Sequence, residues 1–225
     1  MFIQYSPGFR QFFVALLFLP FLLLADQSLA STSQAQTQSK TLLVVGDSLS
    51  AGYGLQQHEG WVSLLQNLWA DEAHRIDVIN AAISGETSDG GLARLPRLLE
   101  QHEPSHVLIE LGGNDGLQGH PVGKLKTNLN KMIRLSQEAG ATVILQDMEI
   151  PSNYGSRYTT LFADAFDEVA EKNNVALVPF FLKSVALNKD LMQKDGIHPN
   201  KEAQPLIAEY MDNKLKPLIL DGATR

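Results

Sequence analysis

The stretch Thr41-Leu42-Leu43-Val44-Val45-Gly46-Asp47-Ser48-Leu49 decides the fold of this chain. Its first half is a short apolar run, and the glycine and polar residues that follow bring the run to an end. An apolar run of this length that stops at turn-forming residues is typical of a strand buried on both faces of a parallel sheet. We therefore predict a buried strand over residues 41–45 that leads into a polar loop at its carboxyl end.

The same pattern recurs along the chain, with helical patterns between the apolar runs. Further strands are predicted over residues 76–83, 107–111, 141–146 and 175–178. Apolar residues recur at helical spacing over residues 61–69, 92–101, 125–139, 158–172 and 202–216. Strands that alternate with helices imply βαβ crossovers, which produce a parallel sheet covered by helices on both faces. We predict one α/β domain, a three-layer α/β/α sandwich over residues 41–220, and a short tail over residues 221–225.

The N-terminal segment differs in composition from the rest of the chain. Six of the 10 phenylalanines lie there, Arg10 precedes an apolar stretch over residues 12–25, and Ser28-Leu29-Ala30 supplies the small residues of a cleavage site. These features predict a secretory signal peptide over residues 1–30 and export to the periplasm or the medium. The stretch is shorter than the ~20 residues that cross a bilayer, although an uncleaved anchor stays open as an alternative. The polar tract over residues 31–40 is predicted to be a flexible leader.

The charge balance and the lack of cysteine exclude several classes of function. The 225 residues include 18 Lys and Arg against 25 Asp and Glu, a formal net charge of −7. Binding to nucleic acid phosphates needs clustered cations, so nucleic acid is not an expected partner. A chain with no cysteine has no disulfide, thiolate nucleophile, acylated cysteine, Cys-ligated zinc or iron–sulfur cluster. Any catalysis must therefore use oxygen or nitrogen groups.

Polar and glycine-rich segments follow every predicted strand, and ligands bind at the carboxyl ends of strands in open α/β sheets. Ser48 follows the first strand, and a serine hydroxyl becomes a nucleophile when a base takes its proton. His198 is the candidate base, because imidazole titrates near neutral pH. Asp195 lies three residues earlier, close enough on one turn for its carboxylate to accept the Nδ1 hydrogen of His198. The sequence thus predicts a hydrolytic triad in the chain order Ser, Asp, His.

Other residues at the strand ends complete the predicted site. Gly85 offers an unobstructed backbone N–H and Asn114 offers a side-chain amide, both as donors to a developing oxyanion. Each of them alone is more typical of a turn than of an oxyanion donor, and Asp47 is also explained as a loop carboxylate that accepts bonds from nearby amides. Apolar and aromatic residues near the same strand ends are candidates to line a groove for an acyl chain, although ordinary packing explains any one of them as well. These candidates are Leu49, Tyr53, Leu117, Ile150, Tyr154 and Tyr158.

These motifs also carry a family resemblance. Gly46-Asp47-Ser48-Leu49, Gly85, Gly113-Asn114-Asp115 and Asp195-Gly196-Ile197-His198-Pro199 occur in the order found in SGNH (GDSL) hydrolases, and the chain resembles that family over residues 41–220. It looks most similar to the secreted bacterial thioesterase, lysophospholipase and arylesterase group. The resemblance implies a flavodoxin-like sheet of strand order 2-1-3-4-5. It also implies that Ser48 is the nucleophile with Asp195 and His198 as partners, and that the N–H groups of Ser48 and Gly85 form an oxyanion hole with the Asn114 side chain.

The predicted function is therefore hydrolysis of acyl thioesters, lysophospholipids and aryl esters through an acyl-enzyme intermediate. The expected partner is a small acyl ester or thioester, without a cofactor, a metal, or stable membrane insertion after signal cleavage, and a monomer is favoured. Two alternatives stay open. A carbohydrate O-acetyl esterase would use the same residues with a smaller and more polar pocket, and a noncatalytic periplasmic binding module would share only the scaffold.

One metal-site pattern is present in the letters of the sequence, at His102-Glu103-Pro104-Ser105-His106. The H-E-x-x-H motif binds zinc only on a continuous helix, which places both imidazoles on one face. Pro104 interrupts such a helix, since it has no amide hydrogen and disfavours helical angles at Glu103. We therefore predict no metal site in this segment.

Overall fold

The computed structural model describes residues 39–70 and 76–222; the predicted signal peptide and nearly all of the predicted leader lie outside the described residues. The strands are β1 (Lys40–Gly46), β2 (Ile76–Asn80), β3 (His106–Glu110), β4 (Thr142–Gln146) and β5 (Ala176–Val178). The helices are α1 (Ser48–Ala51), α2 (Trp61–Ala70), α3 (Ser88–His102), α4 (Gly113–Leu117), α5 (Val122–Glu138), α6 (Ser156–Asn173) and α7 (Gln204–Leu220). Short 3-10 turns occupy Gln57–Glu59, Ser152–Tyr154, Phe181–Ser184, Lys189–Leu191 and Lys201–Ala203.

In the described part of the chain, five strands form a parallel sheet in the order β2-β1-β3-β4-β5. The predicted fold class and strand order are thereby confirmed. Because β1 lies between β2 and β3, the strand order reverses at β1, and the loops after β1 and β3 diverge to leave a crevice. The register aligns Gly46, the last residue of β1, with Glu110, the last residue of β3. The loops that follow these two strands therefore leave the sheet at the same height.

Helices cover the sheet on both faces. Along the sheet, the connection from β1 to β2 runs in one direction and the connection from β2 to β3 runs in the other. Because both crossovers are right-handed, α2 and α3 lie on opposite faces of the sheet. α2 packs against α7, where Trp69 Nε1 donates to Asp212 Oδ1 at 2.6 Å, and α5 packs between α3 and α6. β3 is buried along its whole length, as expected for the central strand of a three-layer sandwich.

β2 is shorter than predicted, because it ends at Asn80 rather than at residue 83. The Asn80 side chain accepts a hydrogen bond from the N–H of Ala82 at 3.1 Å, and this local turn takes the chain out of the strand. The N–H of Ile83 still donates to the carbonyl of Gly46 at 3.0 Å. The segment therefore stays beside the end of β1 and carries the following loop to the carboxyl edge of the sheet.

Helices α3 and α7 do not begin at the residues that the apolar pattern predicted. α3 begins at Ser88 instead of residue 92, because the carboxylate of Asp115 accepts the N–H of Ser88 at 2.7 Å and so satisfies the first turn from another loop. α7 begins at Gln204 and continues to Leu220 instead of ending at residue 216. The Gln204 side chain accepts the N–H of Trp61 at 2.9 Å, which joins the starts of α7 and α2. Both starts depend on tertiary partners.

The H-E-x-x-H letters do not lie on one helix. α3 ends at His102, Glu103 adopts a left-handed conformation with φ 41°, and His106 begins β3. His106 is buried, burial lowers its pKa to about 4, and its Nδ1 lies 2.9 Å from Ser105 Oγ. Over residues 39–70 and 76–222, no group of three or more His, Asp or Glu side chains is arranged to hold a metal ion, and no helix has the length and apolarity to cross a membrane.

Asp147 is a partly buried carboxyl group directly after β4. Burial, its largest influence, raises the pKa of Asp147 to about 6, and the negative charges of Asp167 and Glu149 act in the same direction. The folded state therefore binds this proton more tightly than the unfolded chain does. Its contribution to stability is present at pH values below the unfolded pKa of 3.8 and is lost as the pH rises through about 6.

We expect Asp147→Asn to stabilise the fold at pH 7.5 and to have little effect at pH 3.5. Asparagine stays neutral, so the variant avoids the cost of ionising a partly buried group while its oxygen can still accept a hydrogen bond. The measurement is the free energy of unfolding in urea at the two pH values, with the exposed Asp164→Asn on α6 as the control. A stabilisation that is equal at both pH values would contradict the assignment.

Candidate active site

Ser48 is the first residue of α1 and directly follows the end of β1. Asp47 caps this short helix: its Oδ1 accepts the N–H of Leu49 at 3.0 Å. Gly52 ends the helix with φ 71°, a left-handed conformation that glycine adopts without steric cost. The tight turn from strand to helix leaves the Ser48 side chain partly exposed at the carboxyl edge of the sheet.

His198 and Asp195 lie in the loop between β5 and α7, and this loop brings them to Ser48. His198 Nε2 is 2.8 Å from Ser48 Oγ, and His198 Nδ1 is 2.7 Å from Asp195 Oδ2. Asp195 Oδ1 accepts the backbone N–H groups of Ile197 at 2.9 Å and His198 at 3.0 Å. The three predicted triad residues are thus joined by a continuous chain of hydrogen bonds across 150 residues of sequence.

Asp195 stays ionised over the whole neutral and mildly acidic range. Partial burial acts to raise its pKa, but hydrogen bonds from the backbone and ring of His198 and from the N–H of Ile197 outweigh burial and lower the pKa to about 2. A carboxylate in this position fixes the tautomer of the imidazole and stabilises the imidazolium that forms when Nε2 accepts a proton.

The loop that carries His198 is anchored to the segment after β1. Met192 and Pro199 pair across the loop as an antiparallel bridge, and Gln193 N–H donates to the His198 carbonyl at 2.8 Å. Gln193 Nε2 donates to the Tyr53 carbonyl at 2.7 Å, and the Tyr53 ring lies 4.5 Å from the imidazole ring, centre to centre. Tyr53 therefore packs on the imidazole instead of lining a groove.

Gly85 and Asn114, the predicted oxyanion donors, reach the same edge of the sheet. Gly85 has φ 80° in a turn closed by the N–H of Glu86 and the carbonyl of Ile83 at 3.2 Å. A Cβ atom on Gly85 would meet nothing within 4 Å, so the turn needs glycine for its backbone conformation. Asn114 Nδ2 donates to the Glu86 carbonyl at 3.0 Å and to Asp47 Oδ2 at 3.2 Å. One side-chain amide thus links the loops after β1, β2 and β3.

Two further contacts hold these loops. The side chain of Glu86 forms a bidentate ion pair with the guanidinium of Arg94 on α3, and this contact holds the turn that contains Gly85. Asp115, next to Asn114, is buried and accepts both the N–H and the hydroxyl of Ser88 at 2.7 and 2.6 Å. The sequence analysis identified Asp115 only as part of a motif, and the structure shows that it caps α3.

A cavity of about 410 Å³ opens beside Ser48, and most of its lining is apolar. Leu49, Leu117 and Ile150 line it, whereas Tyr53, Tyr154 and Tyr158 do not. Tyr154 and Tyr158 instead donate their hydroxyl hydrogens to the carbonyls of Leu117 and His120, both at 2.9 Å. The sequence analysis missed much of the lining, which comes from the loops after β4 and β5: Met148, Pro151, Phe180, Leu182, Ala186, Met192 and Ile197. The run of apolar residues over 178–187 was a signal for three of these positions, Phe180, Leu182 and Ala186.

A second cavity of similar volume, about 420 Å³, lies around Gly140 and Asn174, at the amino ends of β4 and β5. None of the residues that line it has an ionisable side chain. Of these two cavities, the one beside Ser48 combines apolar walls with the candidate nucleophile Ser48 and the candidate base His198.

Beneath Ser48 lies a pair of buried carboxyl groups, Asp47 and Glu110, with exposed fractions of 2% and 0%. Burial raises the pKa of Asp47 to about 6, although the bond from the Leu49 N–H and the nearby His198 lower it. Burial, together with the charge of Asp47, raises the pKa of Glu110 well above its usual range. The sequence analysis treated Glu110 as one residue of a buried strand and gave it no role.

The chain matches the model of the GDSL-like Lipase/Acylhydrolase family over residues 44–205. An arylesterase from Vibrio mimicus is 48% identical over 183 residues, which are 81% of this chain and 92% of that protein. Thioesterase 1/protease 1/lysophospholipase L1 from Escherichia coli strain K12 is 45% identical over 179 residues, 80% of this chain and 85% of that protein.

A solved structure shares the fold. The psychrotrophic esterase EstA from Pseudoalteromonas sp., inhibited by monoethylphosphonate, aligns with a TM-score of 0.77 and 53% identity over 79% of this chain and 97% of that one. The family match covers most of the described residues, and the serine, histidine and aspartate of its motifs meet at one site. The chain therefore belongs to the GDSL-like lipase/acylhydrolase family.

Proposed function

We propose that Ser48, His198 and Asp195 carry out the reaction of this chain, which is a hydrolase of carboxylic esters and thioesters. The observation that carries the proposal is the hydrogen-bond chain from Ser48 Oγ through His198 to the Asp195 carboxylate, at 2.8 and 2.7 Å. This chain opens onto a largely apolar cavity. These contacts support the assignment of Ser48 as nucleophile, His198 as base and Asp195 as orienting carboxylate in covalent acyl transfer.

In the acylation step, Ser48 Oγ attacks the carbonyl carbon of the substrate while its proton passes to His198 Nε2. The carbonyl oxygen takes up negative charge as the tetrahedral intermediate forms. When the intermediate collapses, the bond to the alcohol or thiol breaks, and the leaving group receives the proton from His198 Nε2. The products of this step are the free alcohol or thiol and an acyl group esterified to Ser48.

In the deacylation step, water attacks the acyl carbon while His198 Nε2 accepts one of its protons. The second tetrahedral intermediate releases the carboxylic acid, and the proton returns to Ser48 Oγ. Thioesters and aryl esters are favoured substrates because their leaving groups are acidic. Amides are poorer ones, because an amine must be protonated before it departs.

The oxyanion of both intermediates is bound by the N–H groups of Ser48 and Gly85 and by the side-chain amide of Asn114. In the free site, Asn114 Nδ2 already has two acceptors, the Glu86 carbonyl at 3.0 Å and Asp47 Oδ2 at 3.2 Å. We expect the longer bond, to Asp47, to be exchanged for a bond to the oxyanion. A donor that gains this bond in the intermediate stabilises the transition state more than the bound substrate.

The walls of the cavity favour an acyl chain over an acetylated sugar. Apolar side chains such as Met148, Leu182 and Met192 suit a hydrocarbon chain, whereas a sugar needs several polar partners. The relatives named as arylesterase and as thioesterase and lysophospholipase favour the same choice. The carbohydrate esterase alternative is therefore not favoured. Membership of a family of lipases and acylhydrolases also disfavours the noncatalytic binding module.

We expect Ser48→Ala to lower kcat by roughly 10³-fold or more, because the residual rate depends on substrate binding and the oxyanion donors alone. The assay is hydrolysis of an aryl ester, with mass spectrometry of the fluorophosphonate adduct to locate the nucleophile. Ser63→Ala is the matched control, since the Ser63 hydroxyl donates only to the Gln57 carbonyl at 2.8 Å. An adduct on another residue, or full activity of Ser48→Ala, would refute the mechanism.

We expect kcat/KM for an octanoyl thioester to exceed that for an acetylated sugar by about tenfold or more, because the longer chain buries apolar surface in the cavity. Octanoyl and acetyl esters of the same phenol serve as the control, since they separate the acyl group from the leaving group. Faster hydrolysis of the acetylated sugar would contradict this substrate class and leave the role of Ser48 intact.

We also propose that the chain is exported and that its signal peptide is cleaved after Ala30. The sequence features that support the proposal are Arg10, the apolar stretch over residues 12–25, and the small residues at 28 and 30. N-terminal sequencing of the protein from the periplasm or the medium is expected to begin at Ser31. A first residue of Met1 in the exported protein would refute the cleavage.

A further inference from the structure

Glu110 occupies an unusual place for a charged residue type. It is the last residue of the central strand β3 and has no exposed surface. Its register partner on β1 is Gly46. A Cβ atom on Gly46 would lie 2.4 Å from Glu110 Oε2, so the carboxyl group fills the space that the missing side chain leaves. The Glu110 side chain therefore reaches across the end of β1 into the turn that holds Ser48.

The contacts of Glu110 bracket Ser48. Oε2 accepts the N–H of Asp47 at 3.2 Å and the hydroxyl of Ser50 at 2.6 Å, so it binds the residue before Ser48 and the second residue after it. One oxygen atom thus fixes both sides of the turn from which Ser48 projects.

Stability alone does not account for this side chain. Oε1 of Glu110 is buried and has no hydrogen-bond partner among the described residues, and the second buried carboxyl group, Asp47, lies next to it. Burying an incompletely paired carboxyl group beside another one costs stability. An apolar side chain at this position would remove that cost but would leave the Asp47 N–H and the Ser50 hydroxyl without this acceptor, so stability gives no clear advantage to a carboxyl group here.

We propose that Glu110 is a positioning residue, which holds the turn of residues 47–50 so that Ser48 Oγ stays in line with His198 Nε2. This inference rests on the proposed function of Ser48. Glu110 touches neither substrate nor the reacting atoms and acts through the backbone of Asp47 and the side chain of Ser50. Because a misplacement of about 1 Å at a reacting centre can cost roughly 100-fold in rate, loss of this support lowers kcat without removing the site.

The primary test is Glu110→Leu in the full chain, with three measurements: kcat and KM for an aryl ester, the rate of fluorophosphonate labelling of Ser48, and unfolding in urea. We expect kcat and the labelling rate to fall by about 10- to 100-fold and KM to change by less than about threefold. Stability falls only modestly, because loss of the acceptor for Asp47 and Ser50 is partly offset by removal of a buried carboxyl group. A purely structural role predicts a loss of stability with normal kcat and a normal labelling rate. Normal kcat and normal labelling would overturn the proposal.

Two further variants keep the test decisive if Glu110→Leu does not fold. Glu110→Gln retains an oxygen acceptor for Asp47 and Ser50, and we expect it to keep kcat within about fivefold of the wild type. Ser50→Ala removes the 2.6 Å bond, and we expect it to lower kcat about fivefold in the wild type. Where Glu110→Leu folds, Ser50→Ala is expected to have no further effect in that background. A normal kcat in Ser50→Ala, or a fall in kcat of about tenfold or more in Glu110→Gln, would overturn the proposal.

The matched control is His106→Leu, a buried polar residue at the opposite end of the same strand. We expect this variant to leave kcat and the labelling rate unchanged, whatever its effect on stability.

Failure of the proposed function of Ser48 gives a result different from failure of the present inference. In that case wild-type protein would not be labelled at Ser48, whereas failure of the present inference leaves wild-type labelling normal and Glu110→Leu labelled at the same rate.

Discussion

The parallel pairing of β1 with both of its neighbours is the constraint on which the rest of the site depends. β1 bonds to β2 on one side and to β3 on the other, and all three strands point the same way. Their carboxyl ends therefore meet at one edge, where the loops that carry Ser48, Gly85 and Asn114 begin. A sheet with another strand order would contain the same motifs but would not bring them together.

The loops at this edge are held by polar groups that bond to each other. Asn114 bonds to the loops after β1 and β2, Asp115 caps α3, and Glu110 supports the Ser48 turn from below. Each of these bonds crosses between loops far apart in sequence. The position of each catalytic candidate therefore depends on the folding of the whole sheet. The same network contains two buried carboxyl groups, Asp47 and Glu110. Burial raises the pKa of both groups because it disfavours their charged forms.

The loop between β5 and α7 has two tasks. It carries Asp195 and His198 to Ser48, and it supplies one wall of the cavity through Phe180, Leu182 and Ala186. The short bridge between Met192 and Pro199 braces it, and Gln193 ties it to the Tyr53 carbonyl. His198 and one wall of the cavity thus belong to the same loop, so a displacement of this loop would move both of them.

The sequence by itself determined the fold class, the strand order through the family resemblance, and the identity of Ser48, Asp195 and His198 as candidates. Apolar runs, helical spacing and turn residues are local signals, and so is the three-residue separation of Asp195 and His198. Tertiary structure alone decided the early start of α3, the packing of Tyr53 on the imidazole, the cavity wall from residues 180–192, and the contacts of Glu110. The physical reason is that each of these features depends on a partner distant in sequence, such as Asp115 for Ser88 or Gly46 for Glu110. The pattern of neighbouring residues does not identify such a partner.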